Sequence, residues 1–461
     1  MCGIIVHKGR GLMMLSEVFY ECRADSIKNF IPATQIKTEQ DIEEYNAKGY
    51  CIGYTADKFV ETFPKIPINK IFYNNGFNKT YYYDASKYIV FIVRMYGCET
   101  FSSHEDFQNE ILRGIKICEE AFIKKEYFKL IAWQNDIIKF ELFTSLISSV
   151  DIPNAYELFL DIYFNSDYGF NLLNKELIKK VSKYKTDDDK KKTAEKLSFY
   201  DDEIVIYRGE GEKSIEHTKA YSWTTDINIA YFFATKFGSK NARIISAEVK
   251  KNDVFEVGRD DEKELIIVPN KAYEAKIIKL YDISDFESFY YAIEYNYQKY
   301  RELIDKLNYK EGIHGRKHVY RVLLNALILS YLCGINEKDT RVIATAAAWH
   351  DCARVHDGTD YLHGLHGAEK YKEKTPKHNP DTYFLIKNHS VNDNDALKEL
   401  NEIYKKPKEK KRMQLLFNII KDADGLDRIR LGRGELDVNY LRLEYSRKMV
   451  LLARLICDNI K

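Results

Sequence analysis

The stretch WHDCARVHDGTDYLHGLHG, residues 349–367, decides how the chain is read. It holds four of the chain's 11 histidines and three aspartates within nineteen residues. Before it runs RVIATAAA, residues 341–348, whose small side chains let helices approach closely. That context predicts a helix delivering His350 and Asp351 deep into a helical bundle. A buried, adjacent His–Asp pair is costly unless it is paired or bound to metal. Upstream, His314 and His318 are four residues apart and share one helical face. Downstream come His363, His389 in IKNHS and Asp424 in KDADGLDRIR. Imidazole and carboxylate ligands drawn from several helices suit Fe, Mn, Co, Ni or Zn, as one ion or two.

Eight of the 11 histidines lie at or after His314, which predicts separate chemistry for the last third of the chain. The 461 residues allow two or three domains. A hydrophobic content of 45% with 31% charged residues reads as globular. The net charge of +1 implies no general pull toward nucleic acid or membrane. The longest apolar run, VLLNALILSYLCGI, is shorter than the ~20 residues of a spanning helix, so no membrane partner is expected. Eight scattered cysteines without a CxxC pair, and a start lacking a secretory pattern, predict free thiols and a cytoplasmic location.

The charged stretch SKYKTDDDKKKTAEK, residues 182–196, reads as a linker or solvated helix end. Beyond it, EIVIYRG, ARIISAEV and ELIIVP have strand composition. After Asp285 the apolar spacing turns helical. Residues 112–178 read as mostly helical, and residues 1 to about 100 as short strands and helices. The expected fold is therefore multidomain. Residues 1–190 form an α+β region, 197–285 a compact mixed α/β domain, and 286–461 an all-α domain.

Taken in order, HVYRV, WHD, HGLHGA, NHS and DADGLD resemble the HD-domain metal-dependent phosphohydrolases. The resemblance implies His318, His350, Asp351 and Asp424 as metal ligands, with His363 and His389 holding a second ion. It implies hydrolysis of a phosphate ester, often of a nucleotide, with Asp351 at the catalytic centre and Arg428 and Arg430 as phosphate contacts. Gly425 departs from the larger, often basic residue of many relatives, which leaves the substrate class open. His314 stays open between a supporting neighbour of the ligands and no role. His356 and His378 read as loop histidines, and KKPKEKKR as a basic loop broken by proline.

In the middle region, YRG at 207–209, SWTTD at 222–226 and EKELIIVP at 262–269 resemble the arginine–serine–glutamate class of ADP-ribosyltransferases. Here the resemblance implies NAD as cofactor, with Arg208 on its phosphates or ribose. Ser222, Trp223 and Thr224 would shape the nicotinamide–ribose pocket. Glu264 would stabilise the sugar cation that develops as nicotinamide leaves, and Glu262 would orient the nucleophile of a protein or nucleic-acid acceptor. In a strand, Glu262 and Glu264 would point the same way.

The start, MCGII, resembles class II glutamine amidotransferases, with Cys2 as an N-terminal nucleophile once Met1 is removed. Residues 22–26, and Asn75 with Gly76 at an oxyanion site, echo later motifs of that family. Ala56 stands where the family carries its glutamine-binding arginine, so a degenerate domain is implied. The combined expectation is a bifunctional enzyme suited to bacterial or phage conflict. The alternatives are a phosphohydrolase gated by an inactive nucleotide-sensing domain, and a scaffold with decayed sites.

Overall fold

The structure, a computed structural model, describes residues 5–8, 11–14, 30–50, 52–74, 79–84, 89–93, 104–166, 169–212, 214–236, 241–307, 309–354, 356–358, 360–432 and 434–460. The expectations for Cys2, residues 22–26, Asn75 and Gly76 lie outside these residues. The chain is mixed α/β and divides into two compact units, Met1–Ala194 and Glu195–Lys461.

The first unit contains an antiparallel meander of Ile31–Pro32, Ile71–Asn74, Lys79–Asp84 and Ile89–Val93, and a hairpin of Ile5–Lys8 with Gly11–Met14. A run of helices follows, from His104–Ile123 to Asp187–Leu197. Phe140, Phe143 and Phe159 are wholly buried, and their ring contacts tie Asp136–Ser149 to Ala155–Asn165. Most of the expected linker at 182–196 is helix, whose first turn is capped by Thr186 Oγ1 accepting from Asp189 N at 3.1 Å.

The second unit joins a sheet to a helical bundle. The six antiparallel strands lie in the order Val254–Val257, Glu264–Ile267, Ser222–Thr224, Glu203–Glu210, Arg243–Lys250 and Tyr273–Lys279. Alternation along RIISAEVK sends Ile245, Ala247 and Val249 to one face, where they pack with Ile206, Trp223 and Leu265. Ile244 faces the other way, into the same core as the bundle. The helix Ile227–Thr235 lies on that face, and its Ala230, Tyr231 and Ala234 enter the bundle core. Sheet and bundle thus share one core, and the expected boundary at 285/286 falls inside this unit.

In Ile283–Lys306 the buried residues are Phe289, Ile293, Tyr297, Tyr300 and Ile304, an apolar stripe at helical spacing. Asp282 starts this helix with a capping box closed by Asp285. Arg316–Leu332 is the central helix, buried almost all round and packed against Ile283–Lys306, Glu337–Trp349 and Pro407–Asp427. The expected basic loop at 405–412 is a correction. Pro407 is the first residue of the Pro407–Asp427 helix, where its missing N–H costs nothing. Arg412 on that helix is ion-paired with Asp339 and Asp381, tying three helices together.

Among the described residues no helix is long and apolar enough to cross a membrane. Cys118, Cys333, Cys352 and Cys457 are free thiols.

Candidate metal centre and nucleotide cleft

Helix ends build the first site. His350 is the C-cap of Glu337–Trp349, and Asp351 follows it directly. His389 is the C-cap of Pro380–Asn388, and His363 opens His363–Lys374. His318 lies in the first turn of Arg316–Leu332, and Asp424 in the last turn of Pro407–Asp427. The His363 and His389 helices approach closely at Gly364, where an added Cβ would meet Lys387 O at 2.6 Å. His318, His350, Asp351, His363 and His389 are all buried.

Every one of the four imidazoles turns Nδ1 outward and Nε2 inward. His350 Nδ1 donates to Ala347 O at 2.8 Å, His389 Nδ1 to Ile386 O at 2.7 Å, and His363 Nδ1 to Asp360 O. His318 Nδ1 donates to Asp427 Oδ2 at 2.7 Å. With Nδ1 protonated in a neutral ring, Nε2 carries a lone pair. Yet the Nε2 atoms meet in pairs, His318 with His350 at 3.1 Å and His363 with His389 at 3.0 Å. Two lone pairs repel at that distance unless a proton or a metal ion lies between them.

Asp351 completes the arrangement. Its Oδ2 is 3.5 Å from His318 Nε2 and 3.8 Å from His350 Nε2. Its Oδ1 is 3.5 Å from His363 Nε2 and 3.6 Å from His389 Nε2, and is a buried oxygen with no hydrogen-bond partner among the described residues. Each oxygen therefore serves one histidine pair. Asp424 Oδ1 joins the first pair, 3.5 Å from His318 Nε2. The Asp424 side chain is 35% exposed, so the centre opens to solvent on its side. His314 also belongs, with Nδ1 3.3 Å from Asp351 Oδ2. These groups could hold a metal ion.

The charges agree. Burial opposes protonation of His318, but hydrogen bonds to Asp351 and Asp427 and the charge of Asp424 outweigh it and raise its pKa to about 9. Burial, aided by neighbouring imidazoles, overcomes the pull of Asp351 and pushes His350 down to about 4. Although burial opposes its charge, the surrounding histidines hold Asp351 well below the usual carboxylate range.

Asp427 was not anticipated. It accepts from His318 with Oδ2 and from Arg321 Nε with Oδ1 at 2.6 Å, and Arg430 Nη1 donates to Oδ2 at 3.1 Å. It thereby fixes the tautomer and direction of His318. It lies three residues after Asp424, on the same helical face, a spacing that by itself does not mark it out. Asp427→Asn is expected to weaken metal binding about 10–100-fold, measured by competition with a chromogenic chelator. Arg430 is committed to Asp427 and to Ile313 O, and Arg428 to Glu435. The Arg430 guanidinium is buried against Asp427, whereas the Arg428 side chain is 53% exposed. His356 is exposed on the loop, and His378 packs between Tyr371 and Tyr383.

The second site lies on the sheet. Register pairs Ile266 with Ser222 and Glu264 with Thr224. Ser222 Oγ donates to Glu264 Oε1 at 2.5 Å. Arg208 Nη1 donates to Ser222 O at 2.8 Å, Nη2 to Ile215 O at 2.9 Å, and Nε to Glu210 Oε1 at 3.3 Å. Arg208, Ser222 and Glu264 are thus brought together. Gly258 makes room for the carboxylate, since an added Cβ would meet Glu264 Oε2 at 2.3 Å. Trp223 lies on the opposite face, 3% exposed, in the sheet core. Thr224 Oγ1 donates to Glu262 O at 2.7 Å and accepts from Asp226 N at 3.0 Å, which fixes the turn.

The placing of Glu262 is a correction. It ends the 3-10 turn Asp260–Glu262, and Lys263 follows in the left-handed region at φ 44°. The strand starts only at Glu264, so the alternation expected for Glu262 and Glu264 does not apply.

Comparison with family models, curated proteins and solved structures finds no match to this chain.

Proposed function

We propose that the chain is a bifunctional enzyme that hydrolyses a nucleotide-derived phosphate ester at the histidine–aspartate centre and transfers ADP-ribose from NAD at the sheet cleft. The observation that carries the first activity is Asp351, whose two oxygens face two separate pairs of inward-turned imidazoles. His318, His350, Asp351 and Asp424 would hold one ion, and His363, His389 and Asp351 a second. A bound transition metal would lower the pKa of a water molecule and polarise a phosphoryl oxygen. The protein's own part is to aim the imidazoles through Asp427, Ala347, Asp360 and Ile386, and to leave the Asp424 side open to substrate.

Hydrolysis of bis(4-nitrophenyl) phosphate and of a nucleotide panel, by protein loaded with Mn or Fe, tests this reading. Metal-dependent release of product supports it. Absence of hydrolysis with every metal and substrate counts against it. Chelation is also expected to lower the melting temperature by about 5–10 °C, because the ion binds the folded site far better than the unfolded chain.

For the second activity the supporting feature is the short Ser222–Glu264 hydrogen bond beside Arg208. A carboxylate held there would stabilise the ribosyl cation formed as the bond from C1′ to nicotinamide breaks. An alternative, in which NAD or another nucleotide binds without turnover and gates the metal centre, draws on one observation. The bonds of Arg208 run to the chain itself, to Glu210, Ser222 and Ile215. Release of nicotinamide separates the two readings.

A further inference from the structure

A cavity of about 370 Å³ lies inside the second unit, between the sheet's helix and the bundle. Ile229 and Phe232 line it from Ile227–Thr235. Leu436 and Val438 line it from the segment after the Arg428–Leu431 turn, and Val450 and Arg454 from Val450–Asn459 or its start. The opposing walls are pinned by Asn228, which donates from Nδ2 to Asp437 Oδ1 at 3.0 Å and accepts with Oδ1 from Val438 N at 2.8 Å.

Two polar side chains in the lining have buried polar atoms without a partner among the described residues. Arg454 makes no hydrogen bond or ion pair among the described residues, and its Nε is buried. Tyr231 is 2% exposed, and its hydroxyl likewise has no partner among them. Asp261, the acidic side chain of the lining, already faces Arg259 at 3.4 Å. A guanidinium drawn partly out of water without an anion is costly, and so is an unsatisfied hydroxyl. Gly432 and Gly434 also border the cavity, at φ 120° and 87°, with open space where a Cβ would stand.

We propose that this cavity binds a small organic anion of mononucleotide size, its acidic group at Arg454 and its apolar body against Ile229, Phe232, Leu436, Val438 and Val450. Ligand pockets run from roughly 300 to 1,000 Å³, and one at the small end takes a mononucleotide rather than a dinucleotide such as NAD. None of its lining residues is a metal-centre histidine or aspartate, nor Arg208, Ser222 or Glu264. The occupant would nevertheless touch the helix that begins just after Thr224 and the turn that begins just after Asp427.

Calorimetric titration of the full chain with adenosine 5′-monophosphate tests the assignment, with adenosine as the probe lacking the acidic group. The nucleotide is expected to bind at least about tenfold more tightly than adenosine, the effect of one charged hydrogen bond. Arg454→Met and Ile229→Trp, both at half-buried positions, are each expected to weaken nucleotide binding about tenfold or more. Asp351→Ala should leave it unchanged, and melting curves check that every variant is folded. No binding, equal binding of both probes, or binding lost in Asp351→Ala but kept in Arg454→Met would overturn the proposal.

Discussion

Asp351→Ala is expected to abolish metal binding and phosphate-ester hydrolysis together. Loss of an outer partner such as Asp427 costs metal affinity about 10–100-fold, and Asp351 stands closer to the centre than that. Its two oxygens face both histidine pairs, at 3.5–3.8 Å. Removing it takes a negative charge from beside four imidazoles that share a buried space. The loss should not come from unfolding. Removing one partner of a buried charged cluster leaves the others uncompensated, so metal-free Asp351→Ala is expected to melt a few degrees below metal-free wild type while remaining folded at assay temperature. Metal analysis, hydrolysis rate and melting temperature measured on one preparation check all three parts. Retained metal in the folded variant would refute the ligand assignment.

Glu264→Gln is expected to lower nicotinamide release from NAD by about 10²–10³-fold, the scale for removing one fixed electrostatic contact to a developing charge. The glutamine keeps an oxygen to accept from Ser222, so the strand pairing of Glu264 with Thr224 should survive. What disappears is the negative charge. Binding of NAD, followed by equilibrium titration, should change far less than turnover. If nicotinamide release is undiminished in the variant, Glu264 is not the stabilising carboxylate. If wild type binds NAD but releases no nicotinamide, the cleft is a sensor.

Much of the bundle was legible because its helices follow an apolar period. The residues buried in Ile283–Lys306 sit at the spacing the sequence displays, and RVIATAAAW forms the expected small-residue helix ahead of His350. The six residues expected as metal ligands are brought together with His314 in one cluster, buried except at Asp424 and His314. Asp427 was not legible. Its partner Arg321 lies 106 residues away, and nothing local distinguishes an aspartate that orients a ligand from one that caps a helix. Glu262 misled for a different reason. EKE alternates as a strand would, and only the left-handed backbone of Lys263 breaks the alternation. The position of Trp223 follows the same period-two rule, which sends it away from its neighbours Ser222 and Thr224. The shared core of sheet and bundle was hidden because Ala230 and Ala234 mark a closely packed helix face without saying what packs on it.

The most direct test of the central claim is the metal content of the chain purified without added metal-binding tags or chelators, by elemental mass spectrometry. The account predicts one or two equivalents of a transition metal, lost in Asp351→Ala and removed by chelation with a fall in melting temperature. Folded wild-type protein that holds no transition metal, takes none up on addition and melts identically with and without chelator would contradict it.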